Sequence, residues 1–419
     1  MTERFSTTPY VRPLDNGMTL KSLASADDAE RLIAFNGQIF GAEVAAMTRA
    51  MIEYRPAIRP QHWLYVEDEA GIASSLVLIP WEWRYGEVTI QCGEMGIVGT
   101  REDMRGRGLV RTLNERFAEL LHEGGFHLSI IQGIPYFYRQ FGYEYALPLE
   151  MQWQIELRSI TTVRDAAHGF RLATCDDIPA LMRLYDAATQ SLDIAAVRDD
   201  ETWRYILEHA RDTATESDVW LIERDGAPLA YCRIPRQGFG EGLIVSEVSP
   251  VDLHLADVLL AWLKETATAR QKPYIRLNLH DTNPLLRVAQ GYGAYRASGY
   301  QWQIRVVDAA RLLRQIAPVL ERRIAHSPLA RMTRTVAINL YRSGLLLHFE
   351  AGRLREVEAA RQVESEIGIP PDPFMQIVLG WQTGAELAAL HPDVRIGGQS
   401  RMVIDVLFPQ MQAFVDEAY

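Results

Sequence analysis

Apolar positions recur along this chain in two alternating periods. Leu109, Leu113, Phe117 and Leu120 repeat at helical spacing and predict a helix over residues 108–122. Short apolar runs bounded by turn residues predict strands around it: 18–23, then 63–67 turned by Glu69-Ala70-Gly71 into 72–79, then 87–92, 93–99 and 128–132. A short helix near Tyr136 and a last strand through Trp153 complete the set. Asp27 or Asp28 is the natural cap of a first helix, and Asp176 or Asp177 of a later one that has Pro179 in its first turn.

The same order of elements returns later in the chain. Leu23-Ala24-Ser25-Ala26-Asp27-Asp28 is echoed by Leu172-Ala173-Thr174-Cys175-Asp176-Asp177, Gly142-Tyr143 by Gly291-Tyr292, and Gln152-Trp153-Gln154-Ile155 by an identical run at Gln301-Trp302-Gln303-Ile304. All three matches share one offset, so the chain reads as two copies of one α+β unit, residues 1–157 and 158–307, followed by a distinct domain over 308–419. That last part predicts helices from Leu312, Leu313, Ile316 and Leu320, strands over 335–341 and 344–350, and helices over 373–379 and 384–390.

Composition narrows the function classes. The 419 residues are 48% hydrophobic and 23% charged, ordinary for a globular protein, and a length of this order predicts two or three domains. No signal-like or membrane-spanning apolar run is present in the sequence, so a cytoplasmic protein without a membrane role is expected. Cys92, Cys175 and Cys232 form no CxxC pair, and the ten histidines show no ligand spacing, so no metal is expected. A formal charge of −11 speaks against nucleic acid, which needs a basic footprint, and is compatible with a cationic substrate.

The segment that carries chemistry is Met95-Gly96-Ile97-Val98-Gly99-Thr100, followed after Arg101–Met104 by Arg105-Gly106-Arg107-Gly108-Leu109. A strand runs into a basic, glycine-containing loop and then a helix. Backbone N–H groups at the glycines and the positive helix end would face an anion, with Arg105 and Arg107 adding charge-assisted hydrogen bonds. This stretch resembles motif A of the GNAT acetyltransferases, whose Arg-x-x-Gly-x-Gly/Ala loop wraps the pyrophosphate of acetyl-CoA. Arg105 and Gly108 fit; Val110 departs at the last position. The resemblance implies acetyl-CoA as co-substrate, held by Ile97, Val98 and Gly99 along the pantetheine arm and by Arg105, Gly106, Arg107, Gly108 and Leu109 at the phosphates.

Downstream, Phe137-Tyr138-Arg139-Gln140-Phe141-Gly142-Tyr143 is similar to the Tyr-x-x-Phe-Gly-Tyr segment of the enhanced-intracellular-survival type of acetyltransferase. That group fuses two GNAT repeats to a sterol-carrier-like C-terminal α+β domain. The resemblance implies tandem mixed sheets flanked by helices, a homo-oligomer (a hexamer in that group), Tyr138 as general acid and the terminal carboxylate, here on Tyr419, as base. Taken alone, Tyr138 is one ring in a cluster with Tyr136, Phe141, Tyr143 and Tyr145; a neutral phenol can protonate a departing thiolate. Asp416 and Glu417 are candidates to hold the substrate cation.

In the second copy the corresponding stretch is Ile244-Val245-Ser246-Glu247-Val248, then Ser249-Pro250-Val251-Asp252-Leu253. It lacks arginine and glycine and places two acids where phosphate would sit, so this copy is expected to have lost the site. The reading is transfer of acetyl to a primary amine of a small polycation, aminoglycoside-like or polyamine-like. Acetylation of a protein or peptide lysine, and a non-catalytic binding or lipid-carrier scaffold, are the alternatives.

Overall fold

The computed structural model describes residues 9–416 of the chain. The first copy is built on a large mixed sheet. Its strands run, edge to edge, Val11–Pro13, Thr19–Ser22, Trp63–Asp68, Gly71–Tyr85, Val88–Thr100, Leu128–Ile131, Tyr300–Val306 and Glu144–Glu150. Neighbours are antiparallel except for Val88–Thr100 with Leu128–Ile131, which are parallel and joined through the helix Leu109–Glu123. That helix buries Leu109, Leu113, Phe117 and Leu120, the face its periodicity predicts. The helices Ala26–Phe40 and Ala42–Tyr54 pack into a separate core that continues into the C-terminal residues.

Val88–Thr100 forms one strand where two, over 87–92 and 93–99, were expected. Gly93 pairs with Pro80 in an unbroken ladder and makes no turn there. Its partner is likewise longer than its apolar run, extending through Trp81 and Trp83 to Tyr85. The first helix is capped by Ser25, whose Oγ accepts from the Asp28 N–H at 3.1 Å; Asp27 and Asp28 instead occupy the first turn.

Ile194–Ala196 of the second copy pairs antiparallel with Gly71–Tyr85 of the first sheet, and most of its other strands lie in two further sheets. One holds Glu247–Val248, Ala227–Pro235, Ser217–Arg224 and Gly169–Leu172; the other holds Leu243–Val245, Tyr274–Leu277, Trp153–Glu156 and Tyr295–Arg296. The two copies exchange strands. Tyr300–Val306 lies antiparallel between Leu128–Ile131 and Glu144–Glu150 of the first sheet, and Trp153–Glu156 lies against Tyr274–Leu277 of the second copy. The repeated Gln-Trp-Gln-Ile run is therefore the pair of exchanged strands. A cut at residue 157 separates the copies in sequence and not in space.

Exchange also gives the two tryptophans different surroundings. Trp302 is fully buried, edge-on to Trp81 and Trp83, whereas the half-buried Trp153 donates to Asp281 at 3.0 Å. The C-terminal part adds a five-stranded sheet, Arg353–Ala360, Gly344–Glu350, Arg334–Asn339, Ile367–Gly368 and Arg395–Ile396, with helices including Ala309–Gln315, Ala317–Ala325 and Ser400–Leu407. Arg353–Ala360 buries only Val357, so it has no apolar period to betray it. The whole is α+β. None of its helices among the described residues is long and apolar enough to cross a membrane.

The last described residues run along the second copy, including the strand it lends to the first sheet. Gln412 exchanges hydrogen bonds with Asp193, Ala413 bridges to Ile194, Trp302 Nε1 donates to the Val415 carbonyl at 2.9 Å, and Asp416 pairs with Arg233.

Candidate active site

The site begins where two parallel strands part. Val88–Thr100 pairs with Leu128–Ile131 only from Cys92 to Glu94. Beyond Glu94 the strands diverge, and on the other flank the ladder slips opposite Leu76, leaving Ile97 and Val98 outside its register. Ile97 adopts φ 46°, a left-handed conformation unusual for a β-branched residue, and strain of this kind collects at functional sites. A strand flank without a ladder partner among the described residues then lines a cleft of 300 Å³ walled by Met95–Val98, Phe40, Gly133 and Tyr138. Such an edge can pair with an amide-bearing ligand as a further strand would. Of the expected arm-binding residues, Ile97 and Val98 line the cleft; the Gly99 carbonyl is engaged by Ser74 Oγ at 2.8 Å.

The same strand leads to the phosphate candidate. Gly106 and Gly108 have φ 76° and 77°, conformations that favour glycine, and they turn the chain into the helix Leu109–Glu123. No side chain caps that helix. Arg105 and Arg107 are exposed and, among the described residues, make no ion pair. Leu109 sends its side chain into the core, so only its backbone can face a ligand. An uncapped helix start flanked by two arginines without ion pairs has the chemistry to seat an anion.

The equivalent helix of the second copy, Leu253–Ala269, has that seat filled from within: Asp252 accepts from the Leu255 N–H at 2.8 Å. Glu247 does not act as a free repelling charge. It is gripped by Arg198 and Arg233 and accepts from Tyr231 OH at 3.0 Å. Burial alone would raise its carboxyl, but the two guanidiniums outweigh burial and hold it well below the usual range. The second copy lacks an open anion seat because its own carboxylate caps the helix.

Tyr138 stands on the 3₁₀ turn Phe137–Phe141, which begins after Tyr136 at φ 69° and ends at Gly142 at φ 80°. It is buried, and its ring lies over Gly133 so closely that a Cβ there would come within 2.1 Å of Tyr138 Cδ2. Desolvation, reinforced by the neighbouring Tyr143 and Tyr300, pushes its phenol well above the ordinary value, so it stays protonated in neutral solution. Gln303 and Tyr300, both on the exchanged strand, donate to the Gly133 carbonyl and fix the floor beneath the ring.

Glu94 is a residue that sequence reasoning missed. It sits where the strands part, 2% exposed, accepting from Trp81 Nε1 at 2.8 Å and from Gln132 Nε2 at 3.4 Å, and it lines the cleft with Tyr138. Its place in an apolar-rich strand was the one available signal: a carboxylate facing inward needs a reason.

Through Met47, Gln132, Gly133 and Ile134 the cleft adjoins a cavity of 910 Å³ between the two copies. Asp416 lines that cavity. Glu417 and Tyr419 lie outside the described residues. Elsewhere on the second copy, Asp165 accepts from His168 Nδ1 at 2.8 Å and meets His254 Nε2 at 3.1 Å. The trio lines neither the cleft nor the cavity.

Residues 22–146 match the family described as acetyltransferase (GNAT) domain. No curated protein matches the chain. Among solved structures, the chain resembles a GCN5-related N-acetyltransferase from Anabaena variabilis with a TM-score of 0.70 at 14% identity, covering 95% of this chain and 99% of that one. A conserved Enterococcus faecalis protein of unknown function, described as a probable N-acyltransferase, gives 0.73 at 11% identity over 98% and 100%. Eis1 from Mycobacterium abscessus gives 0.63 at 14% identity over 95% and 99%. At such identities the likeness establishes the fold.

Proposed function

We propose that this chain, which carries a GNAT acetyltransferase domain over residues 22–146, transfers acetyl from acetyl-CoA to a primary amine. One observation carries the reading. A splayed strand edge, an uncapped glycine helix start and a buried neutral phenol all border or lead from one cleft, and that cleft adjoins a cavity able to hold an acceptor.

The amine lone pair attacks the thioester carbonyl, the C–S bond breaks, and the thiolate takes the Tyr138 hydroxyl proton. A group kept protonated by burial suits that donation. The ammonium proton goes to a carboxylate. The resemblance points to the α-carboxylate of Tyr419, and the path of residues 412–416 into the cavity wall supports it. Glu94, in the same cleft as Tyr138, is the competing base.

The element order of the two copies and the added C-terminal sheet support the enhanced-intracellular-survival type of architecture, with residues 308–419 as the sterol-carrier-like module. Titrating acetyl-CoA while following thermal unfolding tests the reading. A bound ligand stabilises by mass action, about 2.7 kcal/mol at a hundredfold excess over Kd. Stabilisation, together with thiol release that depends on added amine, is expected; failure of acetyl-CoA to stabilise the protein would overturn the proposal.

A further inference from the structure

The acidic side chains lining the cavity beside Tyr138 are matched within the protein. Three carboxylates line it among the described residues, Glu150, Glu216 and Asp416. Each is paired: Glu150 with Arg276, Glu216 with Arg236 at 3.4 Å, and Asp416 with Arg233. Arg233 itself lines the wall. A polycation would find these charges already paired, and separating the buried Asp416–Arg233 pair to greet it is costly.

What remains of the wall is largely apolar, with Met47, Leu149 and Ile206 buried in it and Ile134 and Phe239 exposed at 67% and 86%. Large apolar side chains left open to solvent around a cavity are the usual mark of a binding surface for an apolar partner. The cavity's continuity with the cleft that holds Tyr138 puts the reacting end of any occupant at the Gln132–Ile134 junction.

We infer that the acceptor is a primary amine carried on a large apolar body, an arylalkyl or alkyl amine, with its single amino group directed to the cleft and its body in the 910 Å³ cavity. This rests on the acetyltransferase reading above.

The test is a steady-state comparison with the full chain and acetyl-CoA, using tryptamine and octylamine against spermine and an aminoglycoside. The apolar amines should show kcat/KM at least tenfold higher. Phe239→Glu, at an exposed position that lines the acceptor cavity and not the cofactor cleft, should cut that ratio at least fivefold with the acetyl-CoA KM unchanged. Preference for spermine or the aminoglycoside, or a ratio indifferent to Phe239→Glu, would overturn the inference. If no amine is acetylated although acetyl-CoA binds, calorimetry of tryptamine and spermine against the acetyl-CoA-loaded protein separates the two readings. Tighter tryptamine binding weakened by Phe239→Glu sustains the cavity's preference and removes the catalytic reading; no binding, or tighter spermine, removes the preference.

Discussion

The Gln303 side-chain amide donates to the Gly133 carbonyl at 3.0 Å. Gln303 belongs to the strand exchanged from the second copy, and Gly133 is the residue on which the Tyr138 ring lies. The second copy thus supports the residue beneath Tyr138, the proposed acid, although its own helix start is capped by Asp252. Gln303→Leu should lower kcat about tenfold, the acetyl-CoA KM staying put, because a misplaced acid weakens the transition state and not cofactor binding. An unchanged kcat would mean that Tyr300 alone holds the Gly133 carbonyl.

Tyr138→Phe should keep the fold and acetyl-CoA affinity and lose turnover by roughly 10²–10⁴-fold. The parent should also lack a descending limb of kcat near pH 10. A raised phenol stays protonated past the ordinary tyrosine value of about 10, so donation persists there. A fall centred below pH 10 that disappears in Tyr138→Phe would show the phenol is not shifted upward.

Glu94→Gln and a short C-terminal glycine extension separate the two candidate bases. The first removes a carboxylate without changing shape; the second displaces the chain's α-carboxylate and leaves every side chain in place. If Glu94 is the base, only Glu94→Gln lowers kcat steeply, and if the chain end is the base, only the extension does, with acetyl-CoA binding retained in both. Full activity in both variants would exclude carboxylate catalysis at either position.

Acetyl-CoA should bind once per chain by calorimetry. Gly108→Asp places a carboxylate at the start of the first copy's helix, as Asp252 does in the second, and adds a side chain at φ 77°. Cofactor affinity should fall at least tenfold. Two equivalent sites, or undiminished binding by Gly108→Asp, would contradict the asymmetry between the copies.

The Arg198–Glu247–Arg233 cluster should register in stability. Glu247→Gln leaves the buried Arg198 guanidinium without its carboxylate and Arg233 with Asp416 alone, and should cost about 3–5 kcal/mol at pH 7. Because the folded carboxyl is held below its unfolded value, its contribution is complete above about pH 4.3 and is lost as the pH falls further toward the folded value. Urea unfolding of both proteins at pH 7 and pH 3 should show the parent's lead shrinking at the lower pH.

The sequence by itself determined the α+β class, a helix over 108–122, found at Leu109–Glu123 with the expected buried face, and the glycine-arginine loop before it, since each is written in local periods or in residues whose backbone chemistry is local. It also carried the identity of the two Gln-Trp-Gln-Ile runs, but not their exchange: two strands with the same pattern fit either sheet, and only the packing of Trp302 against Trp81 and Trp83 shows where one of them lies. Glu94, the paired state of Glu150 and Asp416, and the support of Gly133 by Gln303 depend on residues far apart in the chain. Burial and pairing are properties of contacts between elements, so a net charge of −11, compatible with a cationic substrate, does not disclose that Glu150 and Asp416 are matched with arginines.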